Sequence, residues 1–571
     1  MLKRVVGFFV DPRMPDTRSV GKWISRGCAL SKEHPGASRS RPAEILPGTA
    51  SLARDADRLV AVVTAEDFSG ALAPSLYESL AVFSCLHSTQ RVGDWNESSI
   101  RSALSDVIAK QDQEGWWGSD PRVPFLPDRI ITTLAVIDAA DVHGVLPDLV
   151  FQRARRFLVQ FVVPSLKSKE NKKPIAYDAL ACELLTRLAA RGRPILDQEQ
   201  LSGISARCRR AIEGKGSLLL GGPSTIHSIL DALGSAGVDW LSVARFQDGN
   251  GSMGSYPSST AALVRNIPGD SRHALDASRY LTRAMNDRGE VPPFFPSEEF
   301  ERWWVLLALA QSPLRGRCMV PGIDVGGVPP QGVAVSSSFA LPDVDTTAMK
   351  AATLLSLGYN VNLDFLERFH VDGVFICYES ERRTSPSANI HAAMTIAMAP
   401  LRHYTVERAR MLKNALSPVI QAIKDEGLVE DKWHLSDIYS TAHAVELFAL
   451  LSSGSKPIPG VHRQSLLELM HTCIKYILSQ QHDDGGFGCG ASTVEESGYA
   501  VRALCIAKLN NLFDIPEAIL AAAGRFLDGA SEEGDPPLWM GKTLYRSPLI
   551  AGAQRVSARA WLSATGVRPR E

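Results

Sequence analysis

The sequence predicts an all-α protein assembled from helical hairpins, on three observations. Apolar residues recur at helical spacing over 130–140 (IITTLAVIDAA), 348–357, 441–451 (TAHAVELFALL) and 499–509. Strand-like alternation is scarce, and Gly/Pro breaks such as LGGPS, PGVHR and VPGIDVGGVPPQG separate the helical runs. A weak repeat, Q-x-x-[DE]-G-x-[WF]-G, occurs at 111–118 (QDQEGWWG) and 481–488 (QHDDGGFG), with a degenerate third copy, FQDGNGSMG, at 246–254. In each copy the acidic residue and glycines suit a tight turn, and the aromatic can pack down on a neighbouring helix. Repeated helical hairpins close into solenoids or α-barrels, so these turns bear on fold rather than chemistry.

At 571 residues the chain has room for two or three domains, or one large helical unit. Its 45% apolar content is ordinary for a globular protein. With 61 Lys and Arg against 62 Asp and Glu, no overall field favours nucleic acid or an anionic membrane. No apolar run reaches the ~18 residues of a membrane span. The opening MLKRVVGFFVDPRMPDTRSV is interrupted by aspartate and proline too early for a secretory signal. Nine cysteines without CxxC spacing read as free thiols in a reducing cytoplasm. Residues 1–45, rich in Arg, Ser and Pro, are expected to form a disordered extension.

The chemistry concentrates in 343–348, DVDTTA, where Asp343 and Asp345 stand two residues apart at the head of an apolar helical run. An acid that protonates a carbon–carbon double bond must stay neutral at rest and become strong once substrate is seated. Burial raises an aspartate above its reference of ~3.9, and a second carboxylate adds pressure in the same direction. Asp345 is the candidate general acid and Asp343 its partner. The Thr346 and Thr347 hydroxyls, with backbone N–H groups at the helix start, are placed to receive the anion left behind. The bland alternative is that the two aspartates only cap the helix.

From about residue 70 to the C-terminus the chain resembles the class II terpene cyclases of the βγ didomain type. The strings that carry the resemblance include PSLYESLAV (74–82), DRIITTLAV (128–136), SMGSYPSSTAALV (252–264) and GEVPPFFPSEEFERWW (289–304). They continue through DVDTTAMKAATLLSLGY (343–359), DKWHLSDIYSTAHAV (431–445) and LWMGKTLYRSP (538–548). Two positions depart from the family. Thr346 stands where the Asp-x-Asp-Asp acid motif ends in aspartate, a DxDTT form similar to that of bacterial drimenyl diphosphate synthases and halimadienyl-type cyclases. His227 matches the histidine of the plant terminal base, while Pro293 replaces its asparagine partner.

The resemblance implies two α-barrel-like domains: a first β-domain helix at 46–69, an inserted γ domain over 70–315, and a β domain over 316–571 carrying the acid. It implies protonation of a terminal alkene by Asp345, bicyclisation and proton loss, with the diphosphate retained. Carbocations need a dry aromatic wall, for which Tyr256, Phe294, Phe295, Trp303, Trp304, Trp433 and Tyr439 are the candidates. His227 is a candidate to stabilise a cation, hold water or take the final proton. Lys542, Arg546 and Lys432 are candidate diphosphate anchors. Mg2+ would bridge the diphosphate to a carboxylate, with Glu170 nearest the family's acidic patch. The DxDTT form favours farnesyl diphosphate and a drimenyl product. Alternatives are geranylgeranyl diphosphate with a copalyl- or halimadienyl-type product, a squalene-type cyclase, or a noncatalytic helical scaffold. No DDxxD string occurs, so an ionisation-initiated activity is not expected.

Overall fold

The computed structural model describes residues 49–567, apart from short stretches at 87–95, 119, 169–171, 214–215, 235–236, 324–326, 380, 382–383 and 455. The extension expected over 1–45 lies outside the described residues. The architecture is helical, with only two-residue strand pairs among the described residues.

Two hydrophobic cores organise the chain. The first fills a ring of inner helices: Leu76–Leu86, Leu126–Val142, Tyr177–Ala190, the 3-10 helix Thr225–Ala232 and Pro257–Asn266. Each packs on the next and the last returns to the first. The second fills a ring of Glu298–Ala310, Val344–Leu357, Pro386–Met398, Asp437–Ser453, Val494–Leu509 and Pro548–Thr565, closed in the same way. Outer helices flank both rings; Arg272–Ala284 is one, and Val406–Glu426 another.

The two helix classes differ in composition. Val344–Leu357 and Val494–Leu509 carry apolar or small residues nearly all round, and are buried on every face. The outer helix Arg272–Ala284 buries Ala274, Ala277, Tyr280 and Leu281, while Arg272, Arg279 and Arg283 face solvent. Four inner helices of the second ring begin on side-chain caps: Ser385, Ser436, Thr493 and Ser547 each accept a backbone N–H of the first turn.

All three copies of the repeat make the same staple. Gln111 Nε2 donates to Gly115 C=O (3.0 Å) and Val150 C=O (3.1 Å). Gln481 Nε2 donates to Gly485 C=O (2.9 Å) and Ile519 C=O (3.1 Å). Gln247, in the degenerate copy, donates to Gly251 C=O (2.8 Å) and His273 C=O (3.0 Å). The turn glycines have positive φ, and a Cβ on Gly485 would lie 2.5 Å from Ala522 C=O. The turn is thereby tied to the start of the following outer helix.

One boundary moves. Helix Glu298–Ala310, expected in the inserted domain, belongs to the second ring. It packs on Thr49–Thr64, Val344–Leu357 and Pro548–Thr565 and is buried on nearly every side. The first core ends at Val291 and the second resumes at Phe294. No described helix is long and apolar enough to cross a membrane. The described cysteines are free thiols, all buried except Cys489.

Candidate active site

The acid motif is shaped by its own backbone. Asp343 caps Val344–Leu357, its Oδ1 accepting Thr346 N–H at 2.6 Å. Thr347 Oγ1 donates to Asp343 C=O (2.5 Å) and accepts Val333 N–H (2.9 Å), which pins the preceding loop to the helix start. That loop comes so close that a Cβ on Gly332 would meet Thr347 Oγ1 at 2.8 Å. The threonines therefore hold Asp343 and the loop, where the sequence suggested support for an Asp345 anion. Burial pushes the Asp343 carboxyl up to about 8; the Thr346 hydrogen bond opposes this and the nearby Asp345 adds to it. Its Oδ2 is buried without a hydrogen-bond partner.

Asp345 lies one residue inside the helix and is supported from across the ring. Its Oδ1 is in short contact with Nδ1 of His391, on Pro386–Met398. His391 Nε2 in turn lies 2.8 Å from Nδ1 of His443, on Asp437–Ser453. The side chain of His391 is 1% exposed and that of Asp345 10%, so the acid alone retains an open edge. Burial, then the neighbouring His391, Arg502 and His434, push His443 well below the ordinary histidine range, which keeps it neutral.

Aromatic rings lead away from this triad. Trp304 stands edge-on to His391 (6.1 Å) and packs on Phe300 (4.6 Å) and Trp539 (6.1 Å). Phe300 meets Phe294 (5.8 Å), and Phe294 meets Tyr256 (6.1 Å) and Tyr545 (5.7 Å). Tyr439 touches His391, His443 and Trp539. The array spans both rings, since Tyr256 caps a helix of the first and Trp304 belongs to the second. Such π faces favour positive charge in a site closed to water.

Of the wall residues expected from sequence, Tyr256, Phe294, Trp304 and Tyr439 join this array. Trp303 does not: its Nε1 donates to Glu299 (2.6 Å) and Lys350 lies over its ring. Adjacent helical residues point about 100° apart, so only one of the pair can face inward. Phe295 turns to Tyr280 of the first ring. Trp433 sits under Lys432, its carbonyl accepting Met540 N–H.

The remaining candidates change character. His227 closes a capping box: Nδ1 accepts Ser224 N–H (3.2 Å) and Nε2 contacts Leu219 C=O (3.0 Å), while its ring stacks on Phe246. Both nitrogens are spent on backbone, and burial pulls the imidazole below its ordinary range. Lys542 is buried between the rings against Asp231 (2.7 Å), Ser258 (2.5 Å) and Glu78 (3.6 Å). Arg546 donates to Glu532 and Glu533 carbonyls (3.1 and 2.5 Å), and Lys432 is ion-paired with Glu381. None of these three is an uncommitted cation. Glu170 lies outside the described residues. Among the described residues, no group of three or more His, Cys, Asp or Glu is arranged to hold a metal.

Sequence reasoning missed His391, His443, Phe300, Trp539 and Tyr545. The usable signal was polar residues on helices otherwise apolar all round: His391 within SANIHAAM, and Tyr439 and His443 four apart within IYSTAH.

No protein-family model matches the chain. It is 26% identical over 492 residues to the Type B diterpene cyclase of Mycobacterium tuberculosis, covering 82% of this chain and 93% of that protein. It is 27% identical over 530 residues to a copalyl diphosphate synthase of Streptomyces anulatus, covering 87% and 90%. The ent-copalyl diphosphate synthase structure from Streptomyces platensis shares the fold, with a TM-score of 0.68 and 23% identity, over 90% of this chain and all of that one. The chain is thus similar along most of its length to bacterial diterpene cyclases and copalyl diphosphate synthases, and it shares the fold of a class II terpene cyclase.

Proposed function

We propose that the protein cyclises geranylgeranyl diphosphate to a bicyclic C20 diphosphate of copalyl or halimadienyl type, with Asp345 as the general acid. The supporting observation is the placement of Asp345: a nearly closed carboxyl backed by His391, whose ring meets Trp304 and Tyr439 of the aromatic array. The mycobacterial and Streptomyces relatives above are named for diterpene or copalyl diphosphate chemistry, which favours this substrate over the farnesyl diphosphate suggested by the DxDTT form.

The Asp345 O–H bond breaks as the terminal alkene's π electrons form a new C–H bond, leaving a tertiary cation. The next π bonds attack in turn, the rings close, and the bicyclic cation loses a proton to a base. The diphosphate stays attached throughout. Asp345, now a carboxylate, keeps its Oδ1 on His391 and regains a proton before the next turnover. The wall of Trp304, Phe300, Trp539 and Tyr439 excludes water and faces the moving positive charge.

Farnesyl diphosphate remains a second reading, carried by Thr346 at the motif's last position. Incubating purified protein with each diphosphate and Mg2+, then dephosphorylating and analysing by gas chromatography–mass spectrometry, separates the two. A bicyclic C20 alcohol, absent with Asp345→Ala, is expected. Drimenol from farnesyl diphosphate alone would replace the substrate, and no cyclised product from either would overturn the function.

A further inference from the structure

The bond between His391 and His443 has a consequence for the acid. Two ring nitrogens 2.8 Å apart share one hydrogen and one lone pair. The other nitrogen of His391, Nδ1, faces Asp345 Oδ1. If Nδ1 is bare, the contact must be made by the acid's own proton, which then points at the imidazole and away from substrate. If Nδ1 carries hydrogen, the acid proton is left to Oδ2, and Oδ1 is already held when the carboxylate forms. The productive arrangement therefore requires a hydrogen on Nδ1 at every turnover.

We propose that His443 is a positioning residue for this acid: by pairing with His391 Nε2 it keeps the hydrogen of His391 Nδ1 on Asp345, so that the proton of Asp345 faces the substrate. The inference rests on the reading of Asp345 as the general acid. In this arrangement His443 donates its Nδ1–H to Nε2, so the one hydrogen of a neutral His391 sits on Nδ1. Remove His443, and Nε2 becomes a buried nitrogen that competes for that hydrogen.

The surroundings suit the assignment. Trp304 approaches His391 from Glu298–Ala310, and Tyr439 touches both imidazoles from the helix of His443 itself. Tyr499 meets the His443 ring at 5.3 Å, from Val494–Leu509. Arg502, on that same helix, is neutralised by Glu446 (3.0 Å) and held by Gln554 (2.9 Å). His434 stacks on Tyr439 from the preceding loop. Asp345 is the carboxylate in contact with the pair, and Arg502 and His434 disfavour a charge on His443. The inner imidazole thus stays neutral while the outer one serves the acid.

The test compares His443→Phe, His443→Gln and Asp345→Ala in steady-state turnover of geranylgeranyl diphosphate across pH. A glutamine amide can donate or accept towards Nε2; phenylalanine can do neither. The expected result is a fall in kcat of about tenfold to a hundredfold for His443→Phe, with KM within about twofold, the size typical of outer-shell partners. The basic limb of its kcat profile also moves to higher pH, because the donor that favours the carboxylate over the neutral acid is lost. His443→Gln should recover most of kcat and the basic limb. Equal losses in the two variants, a change confined to KM, or an unmoved pH profile would overturn the proposal. If His443→Phe does not fold, His443→Gln decides alone: near-native kcat supports the role, and a loss as deep as that of Asp345→Ala ends it. Activity persisting in Asp345→Ala would instead remove the acid assignment and the proposal with it.

Discussion

Lys542 Nζ, in a turn of the second ring, lies 2.7 Å from Oδ1 of Asp231 in the first, and the pair is almost wholly buried. Burial works against the charge on Asp231, but Lys542 and the Tyr77 and Ser259 hydroxyls outweigh it and hold the carboxyl below its usual range. Glu78, 3.6 Å from Lys542, is pushed up to about 7 by burial against the pull of that lysine. A basic residue that reads from sequence as a diphosphate anchor is, in the fold, a latch between rings.

Removing the latch should cost stability rather than affinity. Lys542→Ala strands two buried carboxyls, a loss of about 3–5 kcal/mol. Denaturant unfolding should register it, with KM unchanged in whatever fraction stays folded. A raised KM at unchanged stability would restore Lys542 to diphosphate binding.

Asp343 supplies a pH signature. Its folded carboxyl holds its proton to about 8, against the ordinary 3.8. Between those values the native state binds a proton that the unfolded chain has released, so this group's contribution to stability falls as pH rises across that window. Asn also caps helices well, so Asp343→Asn should keep the helix start and lack this titration. Its unfolding free energy should fall less between pH 4 and 8 than that of the wild type. Parallel slopes would contradict the burial account.

His227 should behave as a cap. His227→Ala removes the capping-box partner of Ser224 and should cost about 1 kcal/mol, leaving the product unchanged. A new product or a water-quenched alcohol in gas chromatography–mass spectrometry would mean that the imidazole meets the cation after all.

The repeat turns predict a purely structural response. Gln481→Ala loses two hydrogen bonds and leaves the Gly485 and Ile519 carbonyls without this donor, a cost of about 1–3 kcal/mol. Thermal unfolding should shift while kcat and product hold. Altered product composition would tie the turn to the cavity.

Local features were legible from the sequence, and long-range ones were not. The cap at Asp343 and the neighbouring Asp345 lie within one helical turn, so residue type and spacing singled out the pair. The three glutamine staples were visible for the same reason. His391 is 46 residues from Asp345, and the two meet only because the second ring closes. Lys542 finds Asp231 across 311 residues, so nothing near it in sequence distinguishes it from a surface lysine. Trp303 and Trp304 look alike in sequence; the helix's rotation decides that Trp304 faces His391 and Trp303 faces Glu299. The boundary at 315 erred because an inner helix of the second ring immediately follows the first ring in the chain.

In the proposed mechanism, turnover begins with a proton delivered to an alkene and leaves the diphosphate in place. Running the reaction with geranylgeranyl diphosphate in deuterium oxide tests it most directly. One deuterium is expected on the ring CH2 next to the gem-dimethyl carbon of a bicyclic product that still carries its diphosphate, with neither product nor label in Asp345→Ala. An unlabelled product, or release of inorganic diphosphate during cyclisation, would contradict it.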